Sequence, residues 1–209
     1  PEITEWPVAQ ASPVFVWENY LADNSITIEG RSRPRRCQLA SLTGRVLFTR
    51  FGQMDVNNGA FFADFGSGRR VASSIQAAKA LTFEATITPR SETGGWIAAL
   101  DGDDEPVAFA LAQERNELVL MLGGAEGKKQ NHKIGSVKTG VPQYIAFTLA
   151  DGHLRSWING AQSADIALTN FDPGQWEAIS LVFGSSADFK NQWAGLIEGV
   201  GIYSAPVDP

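Results

Sequence analysis

The segment YIAFTLADGHLRSWINGAQ, residues 144–162, decides the fold. Two dipeptides punctuate it, Asp151-Gly152 and Asn159-Gly160. A two-residue type I′ hairpin turn needs positive φ at both central positions, which Asn, Asp and Gly tolerate best. Apolar residues alternate around both pairs, so the segment reads as strand, turn, strand, turn: an antiparallel meander. Side chains alternate along a strand. Leu154, Ser156 and Ile158 therefore share one face of the middle strand, and His153, Arg155 and Trp157 share the other. Only one of the two sets can face the main core.

Working outward, the same two-residue period recurs. In ALTFEATIT (80–88), Leu81, Phe83, Ala85 and Ile87 oppose Thr82, Glu84, Thr86 and Thr88. Leu118, Leu120 and Leu122 form a second apolar row. Ile145, Phe147 and Leu149 form a third, and Ile179, Leu181 and Phe183 a fourth. Further strands are expected in PVFVW (13–17), RVLFTRF (45–51), GAFFADF (59–65), WIAAL (96–100), VAFALAQ (107–113) and GLIEGVGIY (195–203). Helical periodicity is nearly absent. VASSIQAAKA (71–80) is the one helix candidate, and it reads equally as a single turn or a short loop helix. Many short strands separated by turn signals predict an all-β sandwich or jelly roll.

Composition bounds the function. The chain has 209 residues, 44% of them hydrophobic and 19% charged, enough for a sizeable core. A formal net charge of -6 argues against a nucleic-acid binder, which needs a broad basic surface. The exception is GRSRPRRC (30–37), where four arginines crowd residues 31–36; a solvated loop outweighs an anion-binding patch there. Cys37 is the single cysteine, so no intrachain disulfide forms. No apolar run approaches the roughly 18 residues a bilayer span requires, so direct membrane insertion is not expected. Pro1 in place of Met reads as a fragment or processed form, and SAPVDP (204–209) as a linker leaving the domain.

Four blocks carry a family resemblance: GAFFADFGSGRRVAS (59–73), LTFEATITP (81–89), the meander above, and WAGLIEGVGIYSAPV (193–207). In order and spacing they resemble the laminin G-like jelly rolls of the concanavalin A-like lectin/glucanase superfamily. The resemblance implies an all-β, two-sheet antiparallel jelly-roll sandwich over residues 59–207, with residues 1–58 as an N-terminal extension packing on or completing it. It also implies an extracytoplasmic setting within a larger protein. It does not fix a function, because this fold carries lectins, adhesion modules and glycosidases.

Three chemistries are conceivable on such a fold. Glycosidases of this fold place paired carboxylates along one strand, commonly as Glu-x-Asp-x-x-Glu. That spacing is absent: Glu84 stands among threonines and Glu198 lacks an acidic partner two residues away. The two histidines, His132 and His153, sit near no Gly-x-Ser-x-Gly elbow and read as surface turn residues. An enzyme is not expected. In DGDDE (101–105), Asp101, Asp103 and Asp104 offer hard oxygen ligands that suit Ca2+, and relatives of the resembled family hold calcium with loop carboxylates; a solvated acidic turn outweighs that reading. For sugar binding, the candidates are Trp157 with Arg155 beside it, and Trp193. For Trp157, cross-strand packing that holds register outweighs ligand stacking. The reading that results is a non-catalytic binding module recognising carbohydrate or a glycosylated surface, the alternatives being a structural or protein-interaction module and a divergent glycosidase.

Overall fold

A computed structural model describes residues 13–18, 25–28, 31–36, 38–40, 45–63, 65–102, 108–124, 128–169, 171–176 and 180–207. In chain order the first strands are β1 (Pro13–Glu18), β2 (Ser25–Ile28), β3 (Arg31–Arg36), β4 (Gln38–Ala40), β5 (Arg45–Phe48), β6 (Met54–Asn57) and β7 (Ala60–Phe62). Helix α1 (Phe65–Ala78) follows. Then come β8 (Leu81–Pro89), β9 (Gly95–Asp101), β10 (Phe109–Glu114), β11 (Glu117–Gly123) and β12 (Lys129–Ser136). The meander supplies β13 (Gln143–Ala150), β14 (His153–Ile158) and β15 (Ala161–Ala167), and β16 (Ser180–Phe183) and β17 (Ala194–Tyr203) close the chain.

Two antiparallel sheets form a jelly-roll sandwich. The first runs β15-β14-β13-β8-β17-β6-β5, and the second β12-β11-β10-β9-β16-β7-β4. β17 is long enough for two strands to share one of its edges. β6 pairs with Ala194–Ile197, and β1 pairs with Gly199–Tyr203. Both turns of the meander have positive φ at both positions: 51° and 72° at Asp151-Gly152, 51° and 80° at Asn159-Gly160. A Cβ is strained in that region, which is why Gly fills each second position.

The apolar rows read from the sequence meet between the sheets. Leu81, Phe83, Ala85 and Ile87, with Ile145, Phe147 and Leu149 beside them on β13, face Leu118, Leu120, Leu122, Leu181 and Phe183 of the other sheet in one buried cluster. The rings of Phe83, Phe109 and Phe147 pack with centroids 5.3 to 6.1 Å apart, so bulk from three strands fixes their mutual register. At one edge, hydroxyls tie the two sheets together. Ser156 Oγ and Ser163 Oγ both donate to the Ile134 carbonyl, at 2.7 and 2.6 Å. Ser156 thus serves the inward face as an anchor rather than as packing bulk.

Several elements differ from the sequence reading. The helix runs 14 residues from Phe65, absorbing the last residue of GAFFADF and two glycines that mask its period. Its buried residues Val71, Ala72 and Ile75 fall on one helical face. β6 and β12 carry too little apolar alternation to be read; β12 alternates in exposure, but only Ile134 in it is an apolar core residue. The arginine run is not a loop but strand β3, paired with β2 in a two-stranded sheet, where Pro34 is tolerated away from a central ladder. His132 and His153 lie in strands β12 and β14 rather than in turns. Ile179 lies outside the described residues.

Candidate functional site

Regular pairing of β14 with β13 sets the outer face of the first sheet. Trp157 stands opposite Ala146, Ala146 opposite Glu84, and Glu84 opposite Gly201, one row across four strands. The small residues leave room for the large ones. Trp157 is 9% exposed, so most of its indole is covered. Arg155, two residues away on the same face, is exposed and pairs with Asp165 at 3.5 Å, while His153 Nδ1 lies 3.2 Å from the same carboxylate. Trp193 is elsewhere: it is 1% exposed in the core, and its Nε1 donates to Gln113 Oε1 at 2.7 Å. Trp157 and Arg155 thus share one face of β14, whereas Trp193 is buried away from them in the core.

Glu84, read as isolated in the sequence, is the centre of the row. It is 1% exposed, and both carboxylate oxygens are engaged. Tyr144 Oη donates to Oε2 at 2.7 Å and Tyr203 Oη donates to Oε1. Three adjacent strands, β13, β8 and β17, are thereby joined through one carboxylate. A Cβ at Gly201 would lie 2.7 Å from Glu84 Oε1, so only glycine leaves the carboxylate its place. Burial, then the charge and hydrogen bond of Glu84, push the Tyr144 phenol well above its usual range. With both oxygens accepting from donors on neighbouring strands, this carboxylate ties β13, β8 and β17 together. The sequence signal was a lone acid within a strand of threonines, flanked in register by Ala and Gly; register is what the sequence alone did not supply.

Beside it the C-terminal segment crosses the sheet. The Thr82 hydroxyl donates to the Ala205 carbonyl at 2.7 Å and Val207 N donates back to Thr82 Oγ1 at 3.0 Å. Thr148 Oγ1 donates to the Val207 carbonyl at 2.9 Å.

Asp101 ends β9 and is 8% exposed. Its Oδ1 accepts from Gly102 N at 3.0 Å and its Oδ2 from Ala187 N at 3.0 Å. Burial is the main cause that raises its pKa, offset in part by these two bonds, and the nearby Asp188 adds to the rise. Asp103 and Asp104 lie outside the described residues, and among the described residues no group of three or more His, Cys, Asp or Glu gathers to hold a metal.

A cavity of about 390 Å³ opens where α1 ends, β8 begins and β13 turns into β14. Four segments distant in sequence line it: 78–80, 150–152, 171–173 and Pro206. Lys79 closes α1 with φ 54°, its amide donating to the Ile75 carbonyl at 2.7 Å. Asp172 caps the short helical turn Pro173–Gln175, accepting from Gly174 N at 2.9 Å. Phe171 is half-buried with its ring edge-on to Trp176 at 5.8 Å. Trp176 is in turn fixed by donating to the Gly123 carbonyl at 3.1 Å and by Gln76, which donates to its carbonyl at 2.6 Å. Among its described lining residues are one half-buried aromatic, Phe171, one basic residue, Lys79, and two acidic ones, Asp151 and Asp172.

The two-sheet architecture defines a concanavalin A-like jelly roll. Residues 65–209 match a laminin G-like family model described as the Concanavalin A-like lectin/glucanases superfamily, and the chain belongs to that family. Among curated proteins none matches the chain in sequence. Solved structures share the fold. The receptor binding domain of botulinum neurotoxin C/D mosaic serotype is 12% identical with a TM-score of 0.70, covering 94% of this chain and 48% of that one. The binding domain of botulinum neurotoxin DC, in complex with rat synaptotagmin II, is 13% identical with a TM-score of 0.67, covering 94% and 49%. A third structure, described by the statement that cell entry of botulinum neurotoxin type C is dependent upon interaction with two ganglioside molecules, is 12% identical with a TM-score of 0.66, again covering 94% and 49%. The chain thus spans about half the length of these structures.

Proposed function

We propose that this chain is a non-catalytic binding module of a larger extracytoplasmic protein and that its ligand is carbohydrate. The observation that carries the reading is the cavity beside Phe171, where an aromatic wall meets Lys79, Asp151 and Asp172. Pyranose rings offer an apolar face and a ring of hydroxyls, and such a wall and rim complement both. The locked state of Glu84 supports a binding role over a glycosidase role. The solved neighbours described with ganglioside and with synaptotagmin II are consistent with recognition of glycans or proteins by this fold. No helix among the described residues is long and apolar enough to cross a membrane.

A protein partner is the second reading. Phe51, at the tip between β5 and β6, is 54% exposed, with the Arg50 guanidinium 4.6 Å from its ring centroid. Exposed aromatic and arginine side chains are favoured anchors in protein interfaces.

The test is a thermal melt across a glycan panel. A ligand that binds the native state raises the midpoint by linkage. A rise with at least one glycan, reduced by altering Asp151 or Asp172, is expected; no rise with any glycan contradicts the carbohydrate reading and moves weight to Phe51. The same melt with calcium and then chelator tests Asp101, Asp103 and Asp104. A held cation raises the midpoint and Asp101→Asn removes the rise, whereas an unchanged midpoint assigns the loop as a solvated acidic turn.

A further inference from the structure

We propose that the cavity takes a sugar unit bearing a free ammonium group, a hexosamine, in preference to an acidic sugar; this rests on the carbohydrate reading above. Charge is the first argument. Of the described residues lining the cavity, Asp151 and Asp172 are acidic and Lys79 alone is basic, so these residues carry a net charge of about -1 at neutral pH. Asp151 takes part in none of the ion pairs found among the described residues. It is exposed at a turn tip and is available to a ligand.

The helix end is the second argument. α1 terminates at Ala78 on the cavity wall, with no basic residue in its last turn. Its final carbonyls place the equivalent of about half a negative charge there. Lys79 follows the helix and offsets only part of the combined negative field. An ammonium is therefore favoured at this rim, and a carboxylate is opposed by both aspartates and the helix terminus.

Shape is the third. Phe171, Pro173, Pro206 and the alanines 78, 80 and 150 supply apolar wall without long flexible side chains. Little side-chain entropy is lost when such a wall receives a ring. Asp151 and Lys79 hold left-handed backbone conformations, φ 51° and 54°, which fix where their side chains leave the chain.

The experiment measures affinity by calorimetry for four probes: a β-linked glucosamine tetramer, its N-acetylated counterpart, a galacturonate tetramer and tetralysine. Asp151→Asn and Asp172→Asn are the variants, because Asn tolerates positive φ at 151 and still caps at 172. The glucosamine tetramer is expected to bind, more tightly than the acetylated tetramer, with no binding of galacturonate. Each variant is expected to weaken the glucosamine tetramer by about two- to tenfold, the range for losing one partly exposed charged contact. Equal binding of galacturonate, unchanged affinity in both variants, or tetralysine binding as tightly with the same sensitivity would overturn the proposal. If none of the three sugars binds while another glycan of the panel raises the melting midpoint, the hexosamine inference fails and the carbohydrate reading stands. If no glycan raises it, both fail.

Discussion

Replacing Tyr203 by Phe removes one oxygen and nothing else. The ring is fully buried and keeps its packing, so the change isolates the hydroxyl that donates to Glu84 Oε1. Glu84 is 1% exposed, and water cannot take the place of the lost donor. A hydrogen bond to a charged group contributes about 1.5–3 kcal/mol, and here its loss also leaves a buried carboxylate oxygen unsatisfied. For a domain of this size each kcal/mol moves the midpoint by about 2–4 °C, so a fall of about 3–12 °C is expected. The assay is a thermal melt at neutral pH of the wild type, Tyr203→Phe, Glu84→Gln and the double variant. Because the two groups are in contact, the double variant should deviate from additivity by about 0.5–3 kcal/mol. A Tyr203→Phe midpoint within a degree of wild type, or strict additivity in the cycle, would refute the view that Glu84 clamps three strands.

Three further outcomes follow from the same structure. The Tyr144 phenol keeps its proton in the folded state beyond the pH at which the unfolded phenol loses it, so its contribution is complete below about pH 10 and falls as pH rises above that; denaturant melts between pH 9 and 11 should show this slope in wild type and a flatter one in Tyr144→Phe. Hydrogen bonds from Lys190, first, and from Ser186 hold the Asp188 carboxyl down to about 2. Its stabilisation is present above about pH 4 and is lost as pH falls toward 2, and Asp188→Asn should flatten that part of an acid titration only slightly because the pair is exposed. We propose that residues 1–58 are an extension packing on or completing the sandwich of residues 59–207. A fragment of residues 59–207 lacks β1, β5 and β6, bares one edge of β17 and loses the buried Phe15, Trp17, Met54 and Val56. It is expected to be aggregation-prone or unfolded by circular dichroism, and a fragment as stable as the full chain would contradict this.

Much of the fold was legible because it is set by local pattern. The Asp-Gly and Asn-Gly pairs specify turns, and rows such as Leu81-Phe83-Ala85-Ile87 carry the strand period on their own. Where tertiary contacts supply the stabilisation, the pattern is silent. β12 is held by its ladder to β11 and by serine hydroxyls on the Ile134 carbonyl, neither of which leaves an apolar period. α1 contains Gly66 and Gly68, poor helix formers, and gains its stability from burying Val71, Ala72 and Ile75. The candidate site was harder still. Trp193 reads as a sugar-binding candidate in the sequence, but it is buried and its partner Gln113 lies 80 residues away. The lone Glu84 became a clamp only when register set Tyr144 and Tyr203 around it. The cavity is assembled from four segments between Ala78 and Pro206, none of which carries a motif.

The central claim is that the cavity beside Phe171 is where this module meets its ligand. The most direct measurement is a two-dimensional amide NMR titration with the glycan that raises the melting midpoint most. The account predicts that perturbed amides cluster at residues 78–80, 150–152 and 171–174, with the row through Trp157 and Glu84 unmoved. Perturbations centred on Trp157 and Arg155, or on the hairpin tip at Phe51, would contradict it.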